Sequence, residues 1–158
     1  MLRFGLLVAA AVIIVDQLTK FLAEIGLVPY QPVPLLPFFN LTLSYNRGAA
    51  FSLLADQGGW QRWLLIGVAI CVCAFLLRWL AQLRRRERWL ALVLGLILGG
   101  ALGNAIGRLR YGYVIDFIDV HYGHWHWPAF NIADSAITLG VAWLVVSLLL
   151  EGRWRQRT

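Results

Sequence analysis

The sequence predicts an all-α membrane protein of four transmembrane helices, with a small β-rich element at the outer surface in its first outer connection. Three observations predict it. Hydrophobic residues make up 60% of the 158 and charged residues 14%, with a mean hydropathy of +0.69; one small water-soluble core cannot hide so much apolar surface, so lipid must cover part of it. Four apolar runs, about 4–25, 60–80, 89–106 and 132–150, each approach the ~17 to 25 residues that a spanning helix needs. The charges gather at the ends of these runs. Fourteen Lys and Arg against eight Asp and Glu could suit a nucleic acid, but that partner needs a continuous basic stripe, and the placement here is that of membrane topology.

The first run follows Arg3 as an export signal would, yet it is too long and contains Asp16 and Lys20, so it reads as a retained first span. Arg3, Arg78, Arg84, Arg85, Arg86, Arg88, Arg153, Arg155 and Arg157 fall on one side of a four-span layout. Lys20, Arg47, Arg62, Arg108 and Arg110 fall on the other. The termini and the short Arg-rich hairpin are therefore expected in the cytoplasm, and the two longer connections, about 26–59 and 108–131, face outward. The first connection holds Pro29, Pro32, Pro34 and Pro37, which forbid a continuing helix. Alternation from Asn40 to Tyr45 suggests a short strand pair at the membrane surface, with Asn46-Arg47-Gly48 as turn chemistry. In the second span Cys71 and Cys73 are two residues apart, so on a helix they point in different directions; they read as buried apolar residues with no disulfide, zinc or nucleophile role. In the third span Gly95, Gly99, Gly103 and Gly107 recur every four residues and make a bare ridge for close helix packing. Asn104 and Arg108 lie one residue round from that ridge and project together near the outward end. The second connection, rich in Tyr, Trp and His, suits the headgroup layer. Residues 1–158 then form a single membrane domain, with no internal repeat and no soluble domain.

Ionisable groups at membrane depth are expensive, so each needs an account. Asp16 has Lys20 one turn later, an i,i+4 pair that offsets its own cost and reads as structural support. Asp116 follows the third span and Asp134 opens the fourth, both on the outer side. Two carboxylates brought together at low dielectric do not both ionise easily, so one keeps a proton while the other activates water, and no metal or covalent intermediate is required. Spacing alone leaves alternatives open. Asn131 and Asp134 resemble a capping box, and Asp116 and Asp119 read equally as solvated carboxylates neutralised by Arg108 or Arg110. His121, His124 and His126 near Asp119 make a metal site conceivable, but the interleaved Tyr122, Trp125 and Trp127 read better as an interfacial aromatic belt. A small ion transporter and an inactive scaffold are the competing functional classes. The transporter is disfavoured because the second span carries no acid, and the third and fourth keep theirs at one end.

Five motifs in order resemble one family closely: Asp16-Gln17-Leu18-Thr19-Lys20, Asn46-Arg47-Gly48-Ala49-Ala50-Phe51, Gly103-Asn104-Ala105-Ile106-Gly107-Arg108, Val114-Ile115-Asp116-Phe117 and Phe130-Asn131-Ile132-Ala133-Asp134. They are similar to the lipoprotein signal peptidases of bacteria, signal peptidase II. The resemblance runs through nearly the whole chain. It implies an aspartyl endopeptidase of the inner membrane that cuts diacylglyceryl-modified prolipoproteins just before the lipobox cysteine. On it, Asp116 and Asp134 match the catalytic pair, while Asn46, Gly48, Asn104, Arg108 and Asn131 line the site and support substrate. Asp16 and Lys20 match a structural polar pair. It implies no cofactor and no metal, a site near the periplasmic face, membrane lipid around the chain, inhibition by globomycin-type cyclic peptides, and a monomer that binds no nucleic acid. A lipid-anchored substrate presents its scissile bond at the outer surface, so the groove is expected to open sideways to lipid. Small residues near the cut would lie by the glycine ridge, and the connection around Asn46 would fold over as a lid.

Overall fold

The computed structural model describes residues 1–48 and 58–155. Helix α1 spans Leu2–Gly26 and stops ahead of Pro29, whose ring disfavours helical backbone before it. Strands β1 (Val33–Leu36) and β2 (Phe39–Asn46) form an antiparallel hairpin. Helix α2 (Trp60–Gln82) starts after Gly58 and Gly59, both at positive φ, and helix α3 spans Arg88–Tyr111. Gly112 ends α3 in the left-handed conformation, with its N–H on the Arg108 carbonyl at 3.1 Å. Strands β3 (Val114–Tyr122) and β4 (Trp125–His126) precede helix α4 (Ile132–Arg155).

Helices α1, α2 and α3 are long and apolar enough to cross a membrane, and α4 adds a shorter apolar stretch, Ile132–Ser147. Helix α3 is the central one: two thirds of its most apolar window is buried inside the protein, against about a fifth for α1 and for α2. The outer helices turn large apolar side chains outward, among them Leu7, Ile14 and Ile25 on α1 and Trp63, Ile70 and Phe75 on α2. Such a surface is stable only against hydrocarbon.

The glycine ridge of α3 is covered by α1. A Cβ added at Gly95 would meet the Gly5 carbonyl at 2.6 Å, one at Gly99 the Ala9 carbonyl at 2.7 Å, and one at Gly103 the Asp16 carboxylate at 2.7 Å. The packing role expected of the ridge is what the fold uses: α1 covers Gly95, Gly99 and Gly103, and Tyr113 and Val114 lie against Gly107.

The structure corrects three expectations. Helix α3 continues to Tyr111, so Arg108 and Arg110 stand on its last turn, where cations favour the helix dipole, and not in the connection. The sheet is not confined to the first connection: β2 pairs with β3 of the second, giving the strand order β1-β2-β3-β4. The hairpin turn lies at Pro37-Phe38, and Asn46-Arg47-Gly48 instead follows the C-terminal end of β2, where the Gly48 N–H donates to Asn46 Oδ1 at 2.9 Å. The expected lid beyond that point, with Ala49 to Phe51, lies outside the described residues.

Candidate active site

Asp116 is carried by β3 and Asp134 by the first turn of α4, and Asn131 ties the two together. Asn131 and Asp134 form the reciprocal cap that the sequence suggests: the Asp134 N–H donates to Asn131 Oδ1 at 3.0 Å, and the Asn131 N–H donates to Asp134 Oδ2 at 3.2 Å. With its carbonyl committed to that cap, Asn131 must turn its NH₂ the other way. It donates to Asp116 Oδ1 at 2.6 Å and also faces the Ile115 carbonyl and Asn104 Oδ1 at 3.3 Å. Asn131 is fully buried.

The capping box and the carboxylate pair are therefore one arrangement.

Asn104 fixes Asp134 from the other side. Lys20 has only donors and puts Nζ 2.9 Å from Asn104 Oδ1, so Asn104 must present its Nδ2 to Asp134 Oδ1, at 2.7 Å. Lys20 is itself held by Asp16 at 2.9 Å. Asp16 also accepts from Gln17 Nε2 at 2.9 Å and from the Ala133 N–H of α4 at 3.0 Å. The Asp16–Lys20 pair thus joins α1 to α3 and to the start of α4, and seats the turn that bears Asp134. Gln17 bridges on to the Gly103 carbonyl at 3.2 Å. Its role was not read from sequence, where only its adjacency to Asp16 hinted at it.

Asn46 completes the set from β2. Its Nδ2 donates to Asp116 Oδ2 at 3.0 Å, while Arg108 Nη2 donates to the Gly48 carbonyl at 2.8 Å. All seven residues expected at the site, Asn46, Gly48, Asn104, Arg108, Asp116, Asn131 and Asp134, therefore meet in one bonded network. Asp116 is 2% exposed. Burial, and then the charge of Asp134, push its carboxyl up to about 7 against the hydrogen bonds from Asn46 and Asn131 and the charge of Lys20.

A cavity of about 1330 Å³ opens over the two aspartates. Polar groups line its floor, Asn46, Asn104 and Arg108 among them. Its walls are Tyr45 and Tyr113 on the sheet side, Trp127 to Phe130 above α4, and Ser135, Thr138 and Leu139 along α4 itself. Leu139 is 66% exposed on the outside of the bundle, so the groove is open on that flank. The walls from α4 and from Trp127 to Phe130 were not singled out in the sequence, because a groove wall has no motif of its own.

Asp119 is not a solvated loop carboxylate. It is buried, and its hydrogen bonds come from Asn40, Thr42 and His126. Burial would raise its pKa, but those bonds outweigh burial and hold it below the ordinary value. His121 and His126 stack ring on ring at 4.9 Å, and among the described residues no group of three His, Cys, Asp or Glu is placed to hold a metal ion.

Comparison with known proteins adds an independent line. The sequence profile of signal peptidase (SPase) II matches residues 8–150. A lipoprotein signal peptidase of Pseudoalteromonas atlantica is 51% identical over 147 residues, covering 93% of this chain and 89% of that protein. One of Teredinibacter turnerae is 54% identical over 138 residues, covering 87% and 82%. A solved structure of a bacterial membrane enzyme, determined by the in meso method at 2.3 Å resolution, superposes with a TM-score of 0.84 at 31% identity, covering 94% of this chain and 88% of that one.

Proposed function

Since the chain belongs to the signal peptidase II family of lipoprotein signal peptidases, aspartic-type peptidases that remove signal peptides from prolipoproteins, we propose that Asp116 and Asp134 are its catalytic pair. The observation that carries this is Asn131, whose side chain bonds Asp116 at 2.6 Å while its backbone N–H bonds Asp134 at 3.2 Å. One residue thereby holds both carboxylates on the floor of the same cavity.

The coupled pair shares one proton, which this mechanism gives to Asp116. Asp116, with its pKa at about 7, keeps a proton through much of the neutral range. It hydrogen-bonds the developing oxyanion and passes that proton to the leaving amine. Asp134 takes two hydrogen bonds, from Asn104 and from the Asn131 N–H, as Asp116 does from Asn46 and Asn131, but it alone stands at the N-terminus of α4, where the helix dipole favours its charged form. It acts as base on a water between the two carboxylates, and the water attacks the scissile carbonyl. Asn46, Gly48, Asn104, Arg108 and Asn131 hold the pair and the substrate backbone. Asp16 and Lys20 act structurally: Asp16 takes hydrogen bonds from Lys20, Gln17 and the α4 backbone, whereas an ion pathway needs carboxylates open to transfer.

The substrate is a prolipoprotein carrying diacylglyceryl on its lipobox cysteine, cut just before that residue. The open flank by Leu139 suits it, because the signal helix and the lipid chains enter from the bilayer without leaving hydrocarbon. Residues 1–158 work as a single membrane domain and a monomer in the bacterial inner membrane. Four spans cross it, the termini lie in the cytoplasm, and the sheet and both aspartates lie toward the periplasm. Globomycin-type cyclic peptides occupy the same groove.

Purified protein in detergent, given a lipidated and an unlipidated precursor, tests reaction, substrate and lipid requirement together. Cleavage of the lipidated precursor is expected, with loss of more than about a hundredfold in Asp116→Asn and in Asp134→Asn and melting temperatures near wild type. Full activity in either variant would end the assignment.

A further inference from the structure

The ladder between β2 and β3 changes register once. Asn40 faces Asp119 and Leu41 faces Ile118, whereas Ser44 faces Asp116 and Asn46 faces Val114. Thr42 and Leu43 therefore share Phe117 as their opposite residue, which is a β-bulge in β2. Paired residues project to the same face of a sheet, and neighbours along a strand to opposite faces. Without the extra residue, Tyr45 would stand opposite Val114 and Asn46 would turn to the face away from Asp116. The bulge is thus the reason that Asn46 Nδ2 reaches Asp116 Oδ2 at 3.0 Å.

Asp119 grips that bulge from the neighbouring strand. Its Oδ2 accepts from Asn40 Nδ2 at 3.1 Å, just before the extra residue, and from Thr42 Oγ1 at 3.0 Å, within it. Its Oδ1 lies 2.8 Å from His126 Nδ1 of β4. Asp119 is 6% exposed, lies on the sheet face opposite Asp116, and is not part of the cavity lining. A buried carboxylate costs stability unless its oxygens are bonded, and here the bonds span three strands.

We infer that Asp119 is a positioning residue for the peptidase reaction, pinning the β2 bulge so that the Asn46 amide stays on Asp116. The inference rests on Asp116 and Asp134 being the catalytic pair.

Asp116 is faced by Asn46 of β2, Lys20 of α1, Arg108 of α3, and Asn131 and Asp134 at the start of α4, with Arg47 lining the same cavity. Asp119 is faced by Asn40 and Thr42 of β2 and by His126 of β4, against which His121 is stacked. The Asn46 hydrogen bond favours ionised Asp116, so its loss makes Asp116 a weaker acid. The alkaline limb of the cleavage profile should then move upward by roughly half to one pH unit, the equivalent of one hydrogen bond.

The test is the pH profile of cleavage of a lipidated precursor by the purified full-length enzyme. Asp119→Asn and Thr42→Val are both expected to shift the alkaline limb upward. If Asp119→Asn does not fold, Thr42→Val decides, since it removes one bond and keeps the carboxylate. In an Asn46→Ala background neither substitution should move the limb further. An unmoved limb in the folded single variants, or the same shift with and without Asn46, would overturn the inference. Activity surviving in Asp116→Asn would instead remove its premise, so the two failures are told apart.

Discussion

Asn131 shows how one side chain can serve folding and the proposed chemistry together. As a helix cap it contributes ~1 kcal/mol, the usual cost of replacing such a cap by alanine, and the same geometry leaves its NH₂ no direction but toward Asp116. The pH dependence of the reaction belongs to this scale. In the proposed mechanism Asp116 must be protonated to act as acid, and its pKa is raised to about 7, so activity is lost as pH rises through that value, while at low pH it is limited by protonation of Asp134. A cleavage profile in which the rate falls over about pH 7 to 8 is expected. A rate still rising past pH 9 would remove Asp116 from the acid role. The capping box was legible in the sequence because N-terminal caps are local. Its second bond, to Asp116, was not, since it crosses 15 residues of chain.

Among the elements, α1 and α3 make the closest approach, and glycine permits it. Gly103→Ala would drive a methyl group against the Asp16 carboxylate, and Gly99→Ala would drive one against the Ala9 carbonyl. Each should lower stability by ~1 to 3 kcal/mol, the usual cost of overpacking, read as a lower melting temperature in detergent. Gly67, on α2, has nothing within 4 Å of its Cβ position. There alanine should be neutral or stabilising by up to ~1 kcal/mol through helix propensity. Equal effects at Gly67 and Gly103 would contradict the packing. Asp16→Asn weakens the link between α1, α3 and α4, so it is expected to reduce melting temperature and yield more than turnover per folded molecule; the reverse pattern would move Asp16 into the chemistry. At this scale the sequence was read correctly for four apolar helices and for the β character of the first connection. It was misread at Val114 to Tyr122, where the aromatic-rich connection masked a strand of β-branched and aromatic residues.

At the scale of the molecule, the proposed layout of four spans with both termini and the Arg-rich hairpin on one side makes a labelling prediction. Single cysteines at Arg85 and at Tyr122, in a chain with Cys71 and Cys73 replaced by alanine, should react from opposite faces of intact membrane vesicles. Labelling of both from the same side would rule out the topology. The sequence by itself determined that the chain lives in lipid, how many apolar helices it has, and which polar residues stand apart from that apolar background, because hydropathy, charge placement and motif spacing are properties of the chain read in order. Only the tertiary structure decided that β2 and β3 from separate connections pair, that a bulge turns Asn46 toward Asp116, and that α1 fills the glycine ridge. Those outcomes depend on which surfaces find each other across 70 or more residues, and long-range pairing is set by the sum of packing and hydrogen bonding in the folded chain, which no local pattern records.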